Sequence, residues 1–228
     1  MKSTSYSGIQ VLEQVPAEAG RAIILLHGFG ADCTDLASLS EAVDLDEETA
    51  WFFPNGPHEV PIGPHMMGRA WFPLRLAELQ ERGVDFTQEL PTGMEQAVAN
   101  VTKVVTAICR AHRLSFENVI LGGFSQGSMI ALGVAIQLAE AGNRIGGLTL
   151  FSSTLVAERV LVEKAKVLAG LRFLQSHGTL DFVLPFALAE RLERVLVEAG
   201  LDGMLLPFRG GHEIPMPVLR EWQSWLKG

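Results

Sequence analysis

A serine, a carboxylate and a histidine together perform acyl transfer, and all three can be placed in this chain by where they fall relative to its strands. The serine is Ser125 in Gly123-Phe124-Ser125-Gln126-Gly127, which follows an apolar strand-like run at 118–121 and precedes a helix-like run at 129–141. A serine on so tight a turn stands clear of the sheet, and the glycines two before and two after let neighbouring backbone pass. An ordinary Gly-rich turn with a capping serine has the same letters. The partners therefore decide the reading.

A nucleophilic serine needs a general base, and in a parallel sheet the partners sit just after strands, in the order serine, acid, histidine. Of the six histidines, His177 and His212 follow Ser125, and His177 precedes every acid at a plausible strand end. His212 remains, in the loop after a strand that ends at Phe208, beside Gly210 and Gly211. The aspartates between Ser125 and His212 are Asp181 and Asp202. Asp202 lies just before a strand, at the wrong end of the sheet, whereas Asp181 follows the strand at 171–175 through a short turn. Asp181 is thus the candidate acid, orienting one ring nitrogen of His212 so that the other can take the Ser125 proton.

Acyl transfer also needs donors for the oxyanion. The N–H of Gln126, next after the nucleophile, is one candidate; the N–H of Phe29, in the loop His27-Gly28-Phe29-Gly30-Ala31-Asp32 after an early strand, is the other. His27 itself reads as a turn histidine. The same loop is a poor phosphate cradle, because Cys33 stands where a third glycine would be needed and no Gly-x-x-x-x-Gly-Lys run occurs. His58 with His65, and His212 with Glu213, lack the helical spacing of a zinc protease site, so no metal is expected.

These residues need a scaffold, and short apolar runs alternate with helical stretches as in an α/β chain with a mainly parallel central sheet and helices on both faces. Strands are predicted at 8–13, 22–26, 50–53, 118–121, 147–151, 171–175 and 204–208. Helices are predicted at 36–43, 91–113, 126–141, 186–199 and 215–226. In the second of these, Ala97, Val101, Val104, Val105 and Ile108 form one apolar stripe. Residues 54–76 are too irregular for an element and too apolar for a solvated linker, which predicts that they line something. Residues 156–169 read as a charged amphipathic helix.

With 228 residues, 48% of them hydrophobic, the chain is expected to form one domain over 1–228. A polar N-terminus and the lack of a long apolar run predict a cytoplasmic protein without integral membrane association. A net charge of −8 argues against a nucleic-acid partner. Cys33 and Cys109 match no metal or redox spacing, and no disulfide is expected.

The chain resembles the carboxylesterase, lysophospholipase and acyl-protein thioesterase group of small α/β-hydrolases. The matching pieces are LLHGFGAD from Leu25 to Asp32, Trp71-Phe72, LGGFSQGS from Leu121 to Ser128, SHGTLDFVLP from Ser176 to Pro185 and GGHEIP from Gly210 to Pro215. The resemblance implies Ser125, Asp181 and His212 as the triad and Phe29 and Gln126 as oxyanion donors, the same five positions reached from the residues. It further implies a cofactor-free esterase for carboxylic esters or thioesters, often a loosely associated homodimer. Two departures bear on acyl preference: Pro73 follows Trp-Phe where thioesterases of the group carry Asp, and Ser128-Met129 replaces a small pair after the serine turn.

A serine hydrolase for short to medium acyl esters, thioesters or lysophospholipids is the reading these features support, with a small-molecule substrate. Met66, Met67, Trp71, Phe72 and Leu155 are the apolar candidates for acyl contact, although core packing would explain each as well. No insertion is long enough for a large lid, so an open, shallow site is expected. A peptidase or amidase, and a non-catalytic receptor on the same fold, are the competing classes. Neither a second domain nor a peptide groove is visible, and no triad position is vacant.

Overall fold

The apolar runs of the sequence become the strands of an eight-stranded sheet, in a computed structural model that describes residues 1–45, 48–74 and 86–228. In chain order come β1 (Lys2–Tyr6), β2 (Ile9–Gln14), β3 (Arg21–Leu26), the short helix α1 (Leu39–Ala42), β4 (Thr49–Pro54) and a separate hairpin of β5 (His58–Gly63) and β6 (Met66–Ala70). Then follow α2 (Met94–His112), β7 (Val119–Phe124), α3 (Gln126–Glu140), β8 (Gly147–Phe151), α4 (Glu158–Lys164), β9 (Arg172–Gly178), α5 (Phe186–Glu198), β10 (Asp202–Phe208) and α6 (Met216–Lys227).

Across the sheet the order is β1-β2-β4-β3-β7-β8-β9-β10. The strands from β4 to β10 in that order run parallel, while β2 pairs antiparallel with both β1 and β4. Parallel strands share one carboxyl edge, so the loops after β3, β7, β8, β9 and β10 all leave on the same side, the side on which sheets of this kind generally bind ligands.

Helices cover both faces, which is why β3 and β7 read as unbroken apolar runs without alternation. On one face, α2, α3, α4 and α5 pack with Val101, Ile108, Ile130, Leu161 and Leu192 in the core; on the other, α1 and α6 pack with Leu39, Trp222 and Leu226. The α2 stripe predicted from sequence is the buried face of that helix. Helix α3 is buried nearly all round from Gln126 to Leu138, as a helix wedged between a sheet and its neighbours must be.

Four local expectations change. Residues 2–6 form an unpredicted edge strand whose polar letters conceal it; Ser7 and Gly8, both at positive φ (50° and 83°), make the two-residue turn that suits a twisted hairpin. The stretch at 54–76 contains the β5–β6 hairpin, its register shifted between Pro61 and Gly63. The helix predicted at 36–43 shrinks to α1, and residues 156–169 split into α4 and a 3-10 turn at Ala165–Leu168 rather than one helix. Asp202 is the first residue of β10, paired with Arg172 at the amino edge, far from the loops on the carboxyl side.

Candidate active site

Ser125 sits between β7 and α3 with φ 52° and ψ −119°, a conformation that costs a non-glycine residue on the order of 1–3 kcal/mol and must be held by its surroundings. Its N–H donates to the Phe151 carbonyl at 2.9 Å, and its own carbonyl accepts from the N–H of Ser128 at 3.0 Å and from the Ser128 hydroxyl at 2.5 Å. The flanking glycines are obligatory. A Cβ on Gly127 would lie 2.0 Å from the Leu26 carbonyl oxygen, and one on Gly123 would lie 2.5 Å from the Gly127 backbone. The turn is therefore pressed into the end of β3, with the serine on its outer side.

Asp181 and His212 come from adjacent loops that cross. After β9, the N–H groups of Thr179 and Leu180 donate to the carbonyls of Phe208 and Gly210, and a Cβ on Gly178 would lie 2.2 Å from the Gly211 oxygen. Gly178 is thus what lets the histidine loop pass close enough for contact. His212 Nδ1 lies 2.7 Å from Asp181 Oδ2, and the His212 ring rests on Phe124, the residue before Ser125, with ring centroids 4.7 Å apart. The other carboxylate oxygen, Oδ1, accepts from the N–H groups of Val183 and Leu184 at 2.8 and 2.9 Å. Burial opposes ionisation of Asp181, but the hydrogen bonds from His177, His212 and Leu184 outweigh it and hold its carboxyl well below the usual carboxylate range.

His177 is the residue that chain order alone set aside. It is fully buried on β9, and its Nε2 lies 3.2 Å from Asp181 Oδ2 and 2.9 Å from the Leu184 carbonyl. Both neighbours are oxygen acceptors, so Nε2 carries the proton. His177 therefore shares with His212 the carboxylate oxygen that the latter contacts, the place a positioning residue would take if Asp181 orients His212. His177→Leu removes that donor, and we expect kcat for ester hydrolysis to fall roughly tenfold to a hundredfold with KM nearly unchanged, the cost of one hydrogen bond to a charged group. A change confined to KM or to melting temperature would show a merely structural role.

The loop after β3 faces the serine. Gly28 has no side chain where a Cβ would lie 3.5 Å from the Ser125 Cβ and 3.0 Å from the Phe124 ring. Gly30 donates to the Arg69 carbonyl and Arg69 donates to the Ala31 carbonyl, both at 2.8 Å, so the β5–β6 hairpin clasps this loop. A Cβ on Gly68 would lie 1.9 Å from the Gly30 oxygen. Among the described residues the Phe29 N–H has no protein acceptor, and the Gln126 N–H, first in α3, has none within its helix. His27, buried, donates from Nδ1 to the Gly28 carbonyl and accepts the Gly56 N–H at Nε2. Burial pushes its imidazole below the ordinary range, in keeping with a structural turn histidine.

The five apolar candidates separate. Trp71 and Phe72 are 1% and 0% exposed and belong to the core. The Gln126 side-chain amide accepts the Trp71 N–H at 2.9 Å and donates to the Phe72 carbonyl at 2.8 Å, while the Trp71 indole N–H donates to the His27 carbonyl at 2.9 Å. The pair thus braces the loop after β3 against α3. Leu155 is likewise buried in the core, whereas Met66 and Met67, each 59% exposed, lie on β6. Cys33 and Cys109 are both free.

The chain as a whole is similar to known proteins. The profile of the family described as phospholipase/carboxylesterase matches residues 8–227. The acyl-protein thioesterase 1 of Eremothecium gossypii is 27% identical over 213 residues, covering 90% of this chain and 86% of that protein. The acyl-protein thioesterase 1 of Candida albicans is 24% identical, covering 84% of each. Among solved structures, esterase PE8 superimposes with a TM-score of 0.81 at 29% identity, over 95% of this chain and 96% of the other. A carboxylesterase from Mesorhizobium loti, 20% identical, shares the fold across the full length of both chains with a TM-score of 0.78.

Proposed function

Because the chain belongs to the phospholipase/carboxylesterase family and is a hydrolase of esters or thioesters, we propose that it works through an acyl-enzyme on Ser125. Asp181 and His212 complete the triad in this reading, with the N–H groups of Gln126 and Phe29 as the oxyanion hole. The observation that carries it is the 2.7 Å contact between His212 Nδ1 and Asp181 Oδ2, made while the same imidazole lies against Phe124 beside the serine.

Asp181 keeps the Nδ1 proton of His212 engaged, leaving Nε2 free to take the Ser125 proton as Oγ attacks the acyl carbon. The oxyanion forms where Gln126 and Phe29 offer unengaged N–H groups, and each such donor contributes roughly 3–4 kcal/mol to the transition state. Collapse breaks the bond to the alcohol or thiol, which leaves with the proton from His212. Water, deprotonated by His212, then releases the acid and restores Ser125. The substrate in this reading is a small-molecule ester or thioester and the catalytic unit is one domain over 1–228. A homodimer goes with the resemblance, and a cytoplasmic site of action is part of the same proposal; no helix of the described residues is long and apolar enough to cross a membrane.

The test is reaction with a fluorophosphonate probe beside hydrolysis of p-nitrophenyl butyrate. Stoichiometric labelling at Ser125, mapped by peptide mass, together with turnover that the probe abolishes, is expected. Turnover that survives complete labelling would sink the assignment.

A further inference from the structure

Every one of the five consecutive residues 68–72 makes a contact beside Phe29 or Gln126. Gly68 lies so near the Gly30 backbone that a Cβ on it would stand 1.9 Å from the Gly30 oxygen. Arg69 bonds both ways: its carbonyl accepts the Gly30 N–H and its N–H donates to the Ala31 carbonyl, each at 2.8 Å. Ala70 packs on Gly56, where a Cβ would lie 2.7 Å from the Ala70 oxygen, and the Gly56 N–H donates to His27 Nε2. Trp71 donates its indole N–H to the His27 carbonyl and its backbone N–H to Gln126 Oε1, while the Phe72 carbonyl accepts from Gln126 Nε2. Phe29 is thus bracketed, at His27 on one side and at Gly30 and Ala31 on the other, by the segment that also holds the Gln126 side chain.

Resting on the acyl-enzyme reading, we propose that residues 68–72 form a strap that sets the spacing between the two oxyanion donors. Gln126 closes the arrangement. Its main chain supplies one donor, and its side-chain amide grips the strap that positions the other. Gly68, Trp71 and the Gln126 side chain are therefore positioning groups for the Phe29 N–H.

The two donors need such a device because they are held so differently. The Gln126 N–H heads a buried helix, whereas Phe29 lies in a loop outside any strand or helix. Donors act on an oxyanion only from about 2.7–3.1 Å, so a loop must be fixed from outside to keep that distance. The strap's bonds suit the task. Gln126 and Trp71 are each 1% exposed, so water does not replace these bonds when they break and the stranded groups must move to find partners.

Two substitutions disturb the strap from opposite ends. Gln126→Met keeps the backbone donor and removes both side-chain bonds, and Gly68→Ala forces the strap away from the Gly30 backbone. The ligand for the comparison is a trifluoromethyl ketone: Ser125 Oγ bonds to its carbonyl carbon, the serine proton passes to His212, and the carbonyl oxygen becomes an alkoxide in the hole. Sites competent to react are counted by fluorophosphonate labelling to completion, which leaves unfolded protein out of the rate. Each variant is expected to lower kcat per labelled site on p-nitrophenyl acetate by about tenfold to hundredfold with KM within about twofold, and to weaken ketone inhibition by the same factor. Trp71→Phe, which loses only the indole bond, should lower both by about threefold to tenfold. Because Gln126→Met and Gly68→Ala disturb one spacing, the double variant should fall less than about tenfold below the less active single variant. Losses that multiply, a rise confined to KM, or a lower melting temperature with kcat per site and ketone affinity unchanged would each overturn the strap. An unmodified protein that neither turns over the acetate nor binds the ketone would remove the acyl-enzyme reading itself.

Discussion

Ser125→Ala is expected to lower kcat by about a million-fold and to leave the protein folded. The loss is large because the serine, histidine and aspartate of the proposed triad would act as a unit, so removing the nucleophile forfeits nearly all that the other two contribute. Some acceleration over water should persist, since the Gln126 and Phe29 N–H groups are backbone and survive the substitution. The fold should persist for an equally local reason. What holds the strained turn is backbone: the N–H to Phe151 and the carbonyl shared by the Ser128 N–H and hydroxyl. The Ser125 hydroxyl makes no hydrogen bond among the described residues, so alanine leaves no buried partner stranded. Thermal melting should match the parent within a few degrees. Retention of more than a hundredth of the parent turnover in a folded variant would remove Ser125 from the mechanism.

The reason so much of this arrangement is legible in the sequence is that each candidate lies at the end of a parallel strand; β7 and β9 are buried and announce themselves as apolar runs, and β10, at the sheet edge, still carries the short apolar run Met204-Leu205-Leu206. Ser125 after β7, Asp181 after β9 and His212 after β10 follow from that rule with little else. What escapes it depends on contacts between distant segments. The β5–β6 hairpin is interrupted by Pro61, Gly63 and Gly68, so its alternation is unreadable. Gly68 is needed because the Gly30 backbone crosses there, a fact about two loops rather than one. His177 fails as a base by chain order, yet it reaches the acid itself, because β9 carries it four residues before Asp181 and the intervening turn folds back. Trp71 and Phe72 show the converse. Aromatic residues beside a site are equally good core and equally good pocket in sequence, and only the amide of Gln126 between them reveals that they brace the loop.

Asp181→Asn is expected to lower kcat by about ten-thousand-fold, more than its modest change in shape would suggest. The carboxylate accepts at both oxygens: Oδ1 from the Val183 and Leu184 N–H groups, Oδ2 from His212 and His177. Asparagine offers one accepting oxygen and one donating nitrogen, so one side of this arrangement must face a donor. If the oxygen stays with the Val183–Leu184 backbone, the amide NH2 confronts His212 Nδ1 and draws the ring into the tautomer protonated at Nε2, which cannot accept the serine proton. If the amide turns over, His212 is oriented correctly, but two buried backbone donors meet another donor and the loop carrying the substitution must shift. A histidine ring can change tautomer and a backbone N–H cannot, so the first arrangement should prevail. The same substitution should alter acid sensitivity in a direction fixed by the depressed Asp181 carboxyl. Ionised Asp181 contributes stability that is fully present above the ordinary aspartate range near pH 4 and is lost as pH falls through its lower folded value. The amide of the variant does not titrate, so the gap in stability between parent and variant should narrow on acidification below about pH 4. Parallel denaturant melts from pH 6 to pH 2, with single-turnover acylation measured at pH 7, would check both. A variant that acylates within tenfold of the parent, or a stability gap that widens in acid, would mean that Asp181 does not hold His212 by its charge.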